Sequence, residues 1–302
     1  MSKMYSLKKI VLSTIFMLAC SVSILQGTTR IMPLGDSITW DWYYGDERLD
    51  SERSGYRNYL WYKLRDTGYD ANFVGSKSTG EAIDPYFDGD NEGYTAWQSY
   101  EIAEYVYHFL ETNPPDVILL HIGTNDFQSS TAGVEEILNE VDRFENENDR
   151  HIEVILARVI NMEERSLIIS DFNENIDVMA RNRIDNGDDI QIVDMEYGAG
   201  IDYHTDMIDG IHPNDCGYEK MANVWFSALT GRSSPELKFA NCSGEDKDDE
   251  KPEDEEDKEN LDELFAYPET LVAKEYIISS EVDEETRTVI FIVEIPEGGI
   301  TF

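Results

Sequence analysis

Positive charge is what this sequence has least of: against 63 aspartates and glutamates, its 302 residues carry 24 lysines and arginines, a formal net charge of −39. Such a chain repels nucleic acid and anionic lipid, so neither is an expected partner. Cysteine is scarce, with three in all, which excludes a small disulfide-framed scaffold. Histidine is scarce too: any imidazole base must be His108, His121, His151, His204 or His212. No glycine-rich nucleotide loop competes for a cofactor, and none is expected. The longest nearly uncharged stretch, Ile10 to Gly27, is short for a membrane span.

That stretch follows Lys3, Lys8 and Lys9, and a basic start before a short apolar core reads as a secretory leader over residues 1–27. Secretion is the expectation. Leu18-Ala19-Cys20 offers a second reading, in which Cys20 is lipidated and the mature chain is tethered to the cell surface. Cys216 and Cys242 would then remain, either bridged or as two free thiols. Asn241-Cys242-Ser243 matches a glycosylation acceptor that matters only in a eukaryotic host.

With 41% apolar residues the chain can bury a full core. Five apolar runs read as strands: Ile31 to Leu34, Ala71 to Val74, Val117 to His121, Ile152 to Ala157 and Ile190 to Val193. Helical periods lie between or after them at Tyr56 to Arg65, Ser99 to Leu110, Val134 to Glu145, Ser166 to Arg183 and Tyr218 to Leu229. This alternation predicts an α/β fold, a three-layer α/β/α sandwich on a five-stranded parallel sheet. Its domain would span residues 28–232. The acid-rich stretches from Trp40 to Gly55 and from Gly80 to Thr95 are long for connections and are expected to wall a cleft. Residues 245–263 hold 13 acidic residues and three lysines, so 233–263 reads as a flexible linker. Residues 264–302 recover β-forming character but are too few for an independent core.

Gly35-Asp36-Ser37-Ile38-Thr39 directly follows the first apolar run, where a serine can be a nucleophile or merely cap the next helix. Downstream chemistry favours the first reading. Gly123-Thr124-Asn125-Asp126 follows another apolar run, and Asp209-Gly210-Ile211-His212 supplies an acid and a base three residues apart. Together with Gly55-Tyr56-Arg57, Phe73-Val74-Gly75-Ser76, Glu92-Gly93-Tyr94-Thr95-Ala96-Trp97 and Gly217-Tyr218-Glu219-Lys220-Met221-Ala222, these stretches make residues 29–230 resemble the SGNH or GDSL hydrolase superfamily. Within it they resemble the secreted carbohydrate esterases that remove acetyl groups from xylan.

The resemblance implies Ser37 as nucleophile, His212 as base and Asp209 as the acid orienting it, in keeping with a hydroxyl's need for an adjacent imidazole. It also implies three oxyanion donors: the Ser37 N–H, an N–H in the second block and the Asn125 side chain. Relatives usually place glycine before the tryptophan, where this chain has Ala96, so Ala96 is the positional match and Gly93 a secondary candidate. If that position needs positive φ, alanine carries roughly 1 kcal/mol or more of strain. Asp36 and Asp126 read as loop ties rather than proton carriers. A metal set of Asp36, Asp126, Asp209 and His212 is the weaker alternative, because it leaves Ser37 and Asn125 without a task. Tyr43, Tyr44, Tyr94, Trp97 and Arg57 lie near the site in sequence and offer faces and donors for a sugar substrate, although Trp97 can equally be core. His108, His121, His151 and His204 read as structural, incidental or cleft-lining.

The expected activity is removal of acetyl groups from xylan or its oligomers through an acyl-serine, with acetylated polysaccharide as partner. A lipase, a thioesterase or an esterase on another acylated glycan is the alternative, and a non-catalytic carbohydrate-binding or scaffold domain is the third reading.

Overall fold

The computed structural model describes residues 27–84, 86–235, 277–283 and 288–293. The expected leader, apart from its last residue, and the acidic run 245–263 lie outside them. So do Cys20, Asn241 and Cys242, although Cys216 itself is disulfide-bonded. Contacts divide the chain into two compact units, Met1–Gly244 and Glu245–Phe302. In the second, the strands Ile277–Asp283 and Thr288–Val293 pair antiparallel.

The first unit is built on β1 (Thr29–Gly35), β2 (Ala71–Phe73), β3 (Lys77–Ser78), β4 (Asp90–Gly93), β5 (Val117–His121), β6 (Glu153–Arg158) and β7 (Ile190–Asp194). The strand order is β3-β4-β1-β5-β6-β7, with β2 also on β1. The α/β sandwich is as expected, but the sheet has seven strands, and β3–β4 is antiparallel. The two additional strands come from short polar segments: β4 pairs on β1, and β3 pairs in turn on β4. β1 carries Pro33 in its interior, which a central strand rarely tolerates. Here the chain makes room. β2 pairs with residues up to Ile31, whereas β4 begins at Leu34. The carbonyls of Ile31 and Gly35 face that side, so Pro33 faces it too, at the changeover where no N–H is required.

Side chains alternate across the sheet as a period of two demands. Met32, Leu34, Ile118, Leu120, Val154 and Leu156 pack on one face with helices α3 (Ser99–Thr112), α4 (Ala132–Asn148) and α5 (Leu167–Asn186). Ile31, Val117, Leu119, Ile155, Ala157 and Val193 pack on the other with α2 (Tyr56–Asp66) and α6 (Asp215–Thr230). Two cores therefore clamp one sheet. Asn214 begins α6 by accepting from the N–H groups of Cys216 and Gly217, and left-handed Gly231 ends it.

The register then places the site. Gly35 at the end of β1 pairs with Gly93 of β4 on one side and His121 of β5 on the other. The loops leaving these three ends carry Ser37, Ala96 and Asn125, which puts the expected site at the carboxyl edge of the sheet.

Candidate active site

The chain turns sharply after Gly35. Asp36 accepts the Ile38 N–H at 3.0 Å and so caps a single helical turn, α1 (Ser37–Trp40). Asp41 closes that turn at φ 69°. Its carboxylate also takes the N–H groups of Ser54 and Gly55 and pairs with Arg48 at 2.9 Å. Arg48 and Arg53 both reach Asp46, whose side chain is fully buried. The stretch from Trp40 to Gly55 is thus a charge-locked loop tied to the end of α1 through Asp41.

Ser37 is buried, and its Oγ lies 2.9 Å from His212 Nε2. His212 Nδ1 lies 2.8 and 3.0 Å from the two oxygens of Asp209. A carboxylate can only accept, so the ring proton sits on Nδ1 and Nε2 is left to accept from the serine hydroxyl. The turn holding this pair is self-closing. Asp209 Oδ1 takes the N–H groups of Ile211 and His212, and Gly210 between them stands at φ 80°. Burial would raise the Asp209 carboxyl, but the His212 ring and these two N–H groups outweigh it and hold it below its ordinary value. Outside the turn, the Glu163 N–H reaches the Gly210 carbonyl, and Ile208 N–H donates to His212 O.

Asp36 is the other carboxylate near the ring. Full burial pushes it up to about 6, against the opposing pull of the Ile38 N–H and of His212.

Asn125 is fixed by its neighbours: Nδ2 donates to the Trp97 carbonyl at 3.1 Å, and Gln98 donates to the Asn125 carbonyl at 2.7 Å. One Nδ2 hydrogen remains. Asp126 takes the N–H and hydroxyl of Ser99, binding the loop after β5 to the start of α3. In the second block, Trp97 N–H donates to Tyr94 O, and Ala96 stands at φ 62° within that turn. A left-handed third residue alone gives the type II shape, which ordinarily selects glycine. Ala96 therefore carries the strain that its identity threatened. Among the described residues nothing accepts its N–H.

Gly93 has a different task. Its N–H is taken by Asn91 Oδ1 at 2.9 Å, and a Cβ on it would meet the Trp40 backbone at 2.7 Å. It is a contact point between β4 and α1, not an oxyanion donor. Arg57 also departs from expectation: it is fully buried, and its guanidinium is consumed by the carbonyls of Thr39, Gly89 and Arg53 and the hydroxyl of Thr79. It ties the segments around Thr39, Arg53, Thr79 and Gly89 together from the interior and presents no free donor at the surface. Tyr94 is stacked between Trp97 and Phe109, at 4.1 and 5.3 Å, so these rings are partly core. Tyr43 packs against Arg48, and Tyr44 is 83% exposed.

Of the other histidines, His108, His151 and His204 lie on the surface paired with acids. His121 is fully buried; burial drives it down to about 4, and its Nε2 accepts the Ile160 N–H. Asp36 and Asp126 each accept a backbone N–H, from Ile38 and Ser99, as loop ties do. Among the described residues no group of three metal-ligating side chains gathers, and no helix is long and apolar enough to cross a membrane.

The model of the GDSL-like lipase and acylhydrolase family matches residues 31–225. This chain belongs to that family. A multidomain esterase of Ruminococcus flavefaciens is 30% identical over 238 residues, 70% of this chain. The match spans 29% of that protein's length. A family 3 carbohydrate esterase from Clostridium thermocellum superposes with a TM-score of 0.56 at 27% identity, covering 66% of this GDSL chain and 94% of that one. The carbohydrate esterase family 3 structure from Talaromyces cellulolyticus, at TM-score 0.55 and 24% identity over 67% of this chain and 96% of that one, is a likeness of fold alone. Asp41, Lys77 and Gln98, which brace the site, were not singled out in the sequence, and Glu92 stood in a matching stretch without an assigned role.

Proposed function

We propose that this GDSL-family chain is a secreted serine esterase that removes acetyl groups from polysaccharide, xylan or its oligomers. The observation carrying the chemistry is the unbroken chain from Ser37 Oγ through the His212 ring to Asp209, beside the uncommitted Ala96 N–H and Asn125 Nδ2 hydrogen. The name of the Ruminococcus flavefaciens relative supports an ester as substrate, and that of the Clostridium thermocellum structure a carbohydrate ester. The basic and apolar start of the chain supports export.

His212 takes the hydroxyl proton on Nε2 as Ser37 Oγ attacks the acetyl carbon. The carbonyl electron pair moves onto oxygen, where the N–H groups of Ser37 and Ala96 and the free Asn125 hydrogen receive it. Collapse breaks the bond to the sugar oxygen, which leaves with the proton from His212. Water, losing its proton to His212, then attacks the acetyl-serine; the second collapse returns acetate and the free hydroxyl. Asp209 keeps the ring oriented and offsets its transient positive charge. No step needs a cofactor.

The test is acetate release from acetylated xylan and other acetylated glycans, with longer acyl esters alongside and Ser37→Ala as control. Turnover by the wild type, lost in a folded Ser37→Ala protein, is the expected result. Preference for long acyl chains would sink the polysaccharide assignment, and undiminished Ser37→Ala activity would sink the nucleophile.

A further inference from the structure

Among the described residues, four that are not glycine stand in the left-handed region: Asp41, Ala96, Phe127 and Asp149. Asp41 and Asp149 end helices, a place where that conformation closes the last turn. Ala96 ends no helix and is exposed. Its restraint comes from behind. Lys77 on β3 donates to the Gly93 carbonyl at 2.7 Å, and its ammonium lies 3.8 Å from the centre of the Tyr94 ring and 4.5 Å from that of Trp40. One cation therefore touches the strand end that feeds the turn, the turn's first residue and the last residue of the helix bearing Ser37. Fully buried Glu92 secures the same ring from the side, taking the Tyr94 hydroxyl at 2.8 Å together with the N–H and hydroxyl of Ser76. At the far end of the turn, Trp97 is stacked on Tyr94 and its carbonyl is held by Asn125.

We propose that Lys77 is a positioning residue for the second oxyanion donor: by joining Gly93, Tyr94 and Trp40 it keeps the Tyr94–Trp97 turn in the left-handed shape that leaves the Ala96 N–H free. A glycine at position 96 would reach that shape unaided; alanine relies on the cage. Lys77 touches neither the substrate nor the reacting atoms. Its effect belongs to the transition state, when charge reaches the carbonyl oxygen, and so to kcat rather than KM.

The kinetic half of this inference rests on the esterase reading above. The experiment is a cycle of wild type, Lys77→Met, Ala96→Gly and the double variant, assayed for kcat and KM on 4-nitrophenyl acetate, with amide hydrogen exchange followed across Tyr94–Trp97. Methionine keeps the length of the side chain while removing the donor and the charge. Lys77→Met is expected to lower kcat about tenfold with KM within about twofold, and to speed exchange across the turn. In the glycine background the same substitution is expected to cost less than about twofold, because its effect passes through the strained alanine. An equal loss in both backgrounds would make Lys77 a general packing residue and overturn the proposal. If the wild type does not hydrolyse the ester, the esterase reading fails and exchange alone decides: unchanged exchange in Lys77→Met overturns the positioning role.

Discussion

Two turns border Ser37, each needs one residue in the left-handed region, and the chain satisfies them in opposite ways. The base-bearing turn uses Gly210 at φ 80° and closes on itself, because Asp209 collects the N–H groups of the two residues that follow Gly210. The donor-bearing turn uses Ala96 at φ 62° and has no internal carboxylate; Lys77 and Asn125 hold it from two other segments, and Glu92 from the strand that leads into it. The first is determined locally and the second by tertiary contacts. A locally closed turn tolerates distant substitution, whereas an externally held one transmits it.

The contrast is sharpest at Asp209. Asp209→Asn removes the charge behind His212 and puts a donor in place of the oxygen 2.8 Å from its Nδ1, while leaving an oxygen to close the turn, and kcat for acetate release should fall on the order of 10⁴-fold. On the donor side, Asn125→Ala should lower kcat about 10²–10³-fold with little change in KM, since that hydrogen serves only the developing oxyanion. Equal losses at the two positions would erase the distinction between them.

The two carboxylates beside the ring separate the regions by pH. Asp36 is raised to about 6, so the folded state holds a proton that the unfolded chain gives up above about 4. Its stabilising contribution is full below the ordinary carboxylate range and is lost as pH rises through about 6, a change of about 3 kcal/mol. Asp36→Asn retains an oxygen for the Ile38 N–H and should abolish that loss in urea unfolding between pH 4 and 7. His121, lowered to about 4 by burial, works in the opposite sense over the same window, so the difference between variant and wild type is the quantity to read.

Backbone strain gives the smaller effects. Gly210→Ala meets only ordinary contacts with Glu163, so its cost is that of the left-handed alanine itself, about 1–2 kcal/mol of stability. Ala96→Gly should move the other way by less than about 1 kcal/mol, because relief of strain is partly offset by the greater freedom of the unfolded glycine. Chemical denaturation of both variants measures the pair, and a gain at Gly210 or a loss at Ala96 would contradict the contrast.

The same division explains what could be read before the structure. β1, β5 and β6 are buried through their middles and appear as apolar runs, and β7 still shows Ile190, Ile192 and Val193 around its exposed Gln191; β3 and β4, Lys77-Ser78 and Asp90 to Gly93, are polar and become strands only through pairing. The base turn was legible because aspartate, glycine and histidine carry its geometry within four residues. The brace around Ala96 was not, because its parts lie 16 or more residues apart in several cases. Arg57 was offered to the substrate because it lies near the site in sequence; the four acceptors that bury it come from Thr39, Arg53, Thr79 and Gly89, and only the fold assembles them. Gly93 was misread for the related reason that its close approach to Trp40 is a contact between segments.

The aligned strand ends Gly35, Gly93 and His121 make the site a matter of counting. Ser37 comes two residues after its strand, Ala96 three and Asn125 four, so each reacting group is metered out from a common starting line by a fixed length of chain. Adding or deleting one residue beyond that line shifts a single group while leaving the others in place, and no repacking of the two cores can restore it. The connections entering the opposite ends of the same strands carry no such count. Length variation in this chain should accordingly be one-sided, free where strands begin and forbidden in the few residues after they end.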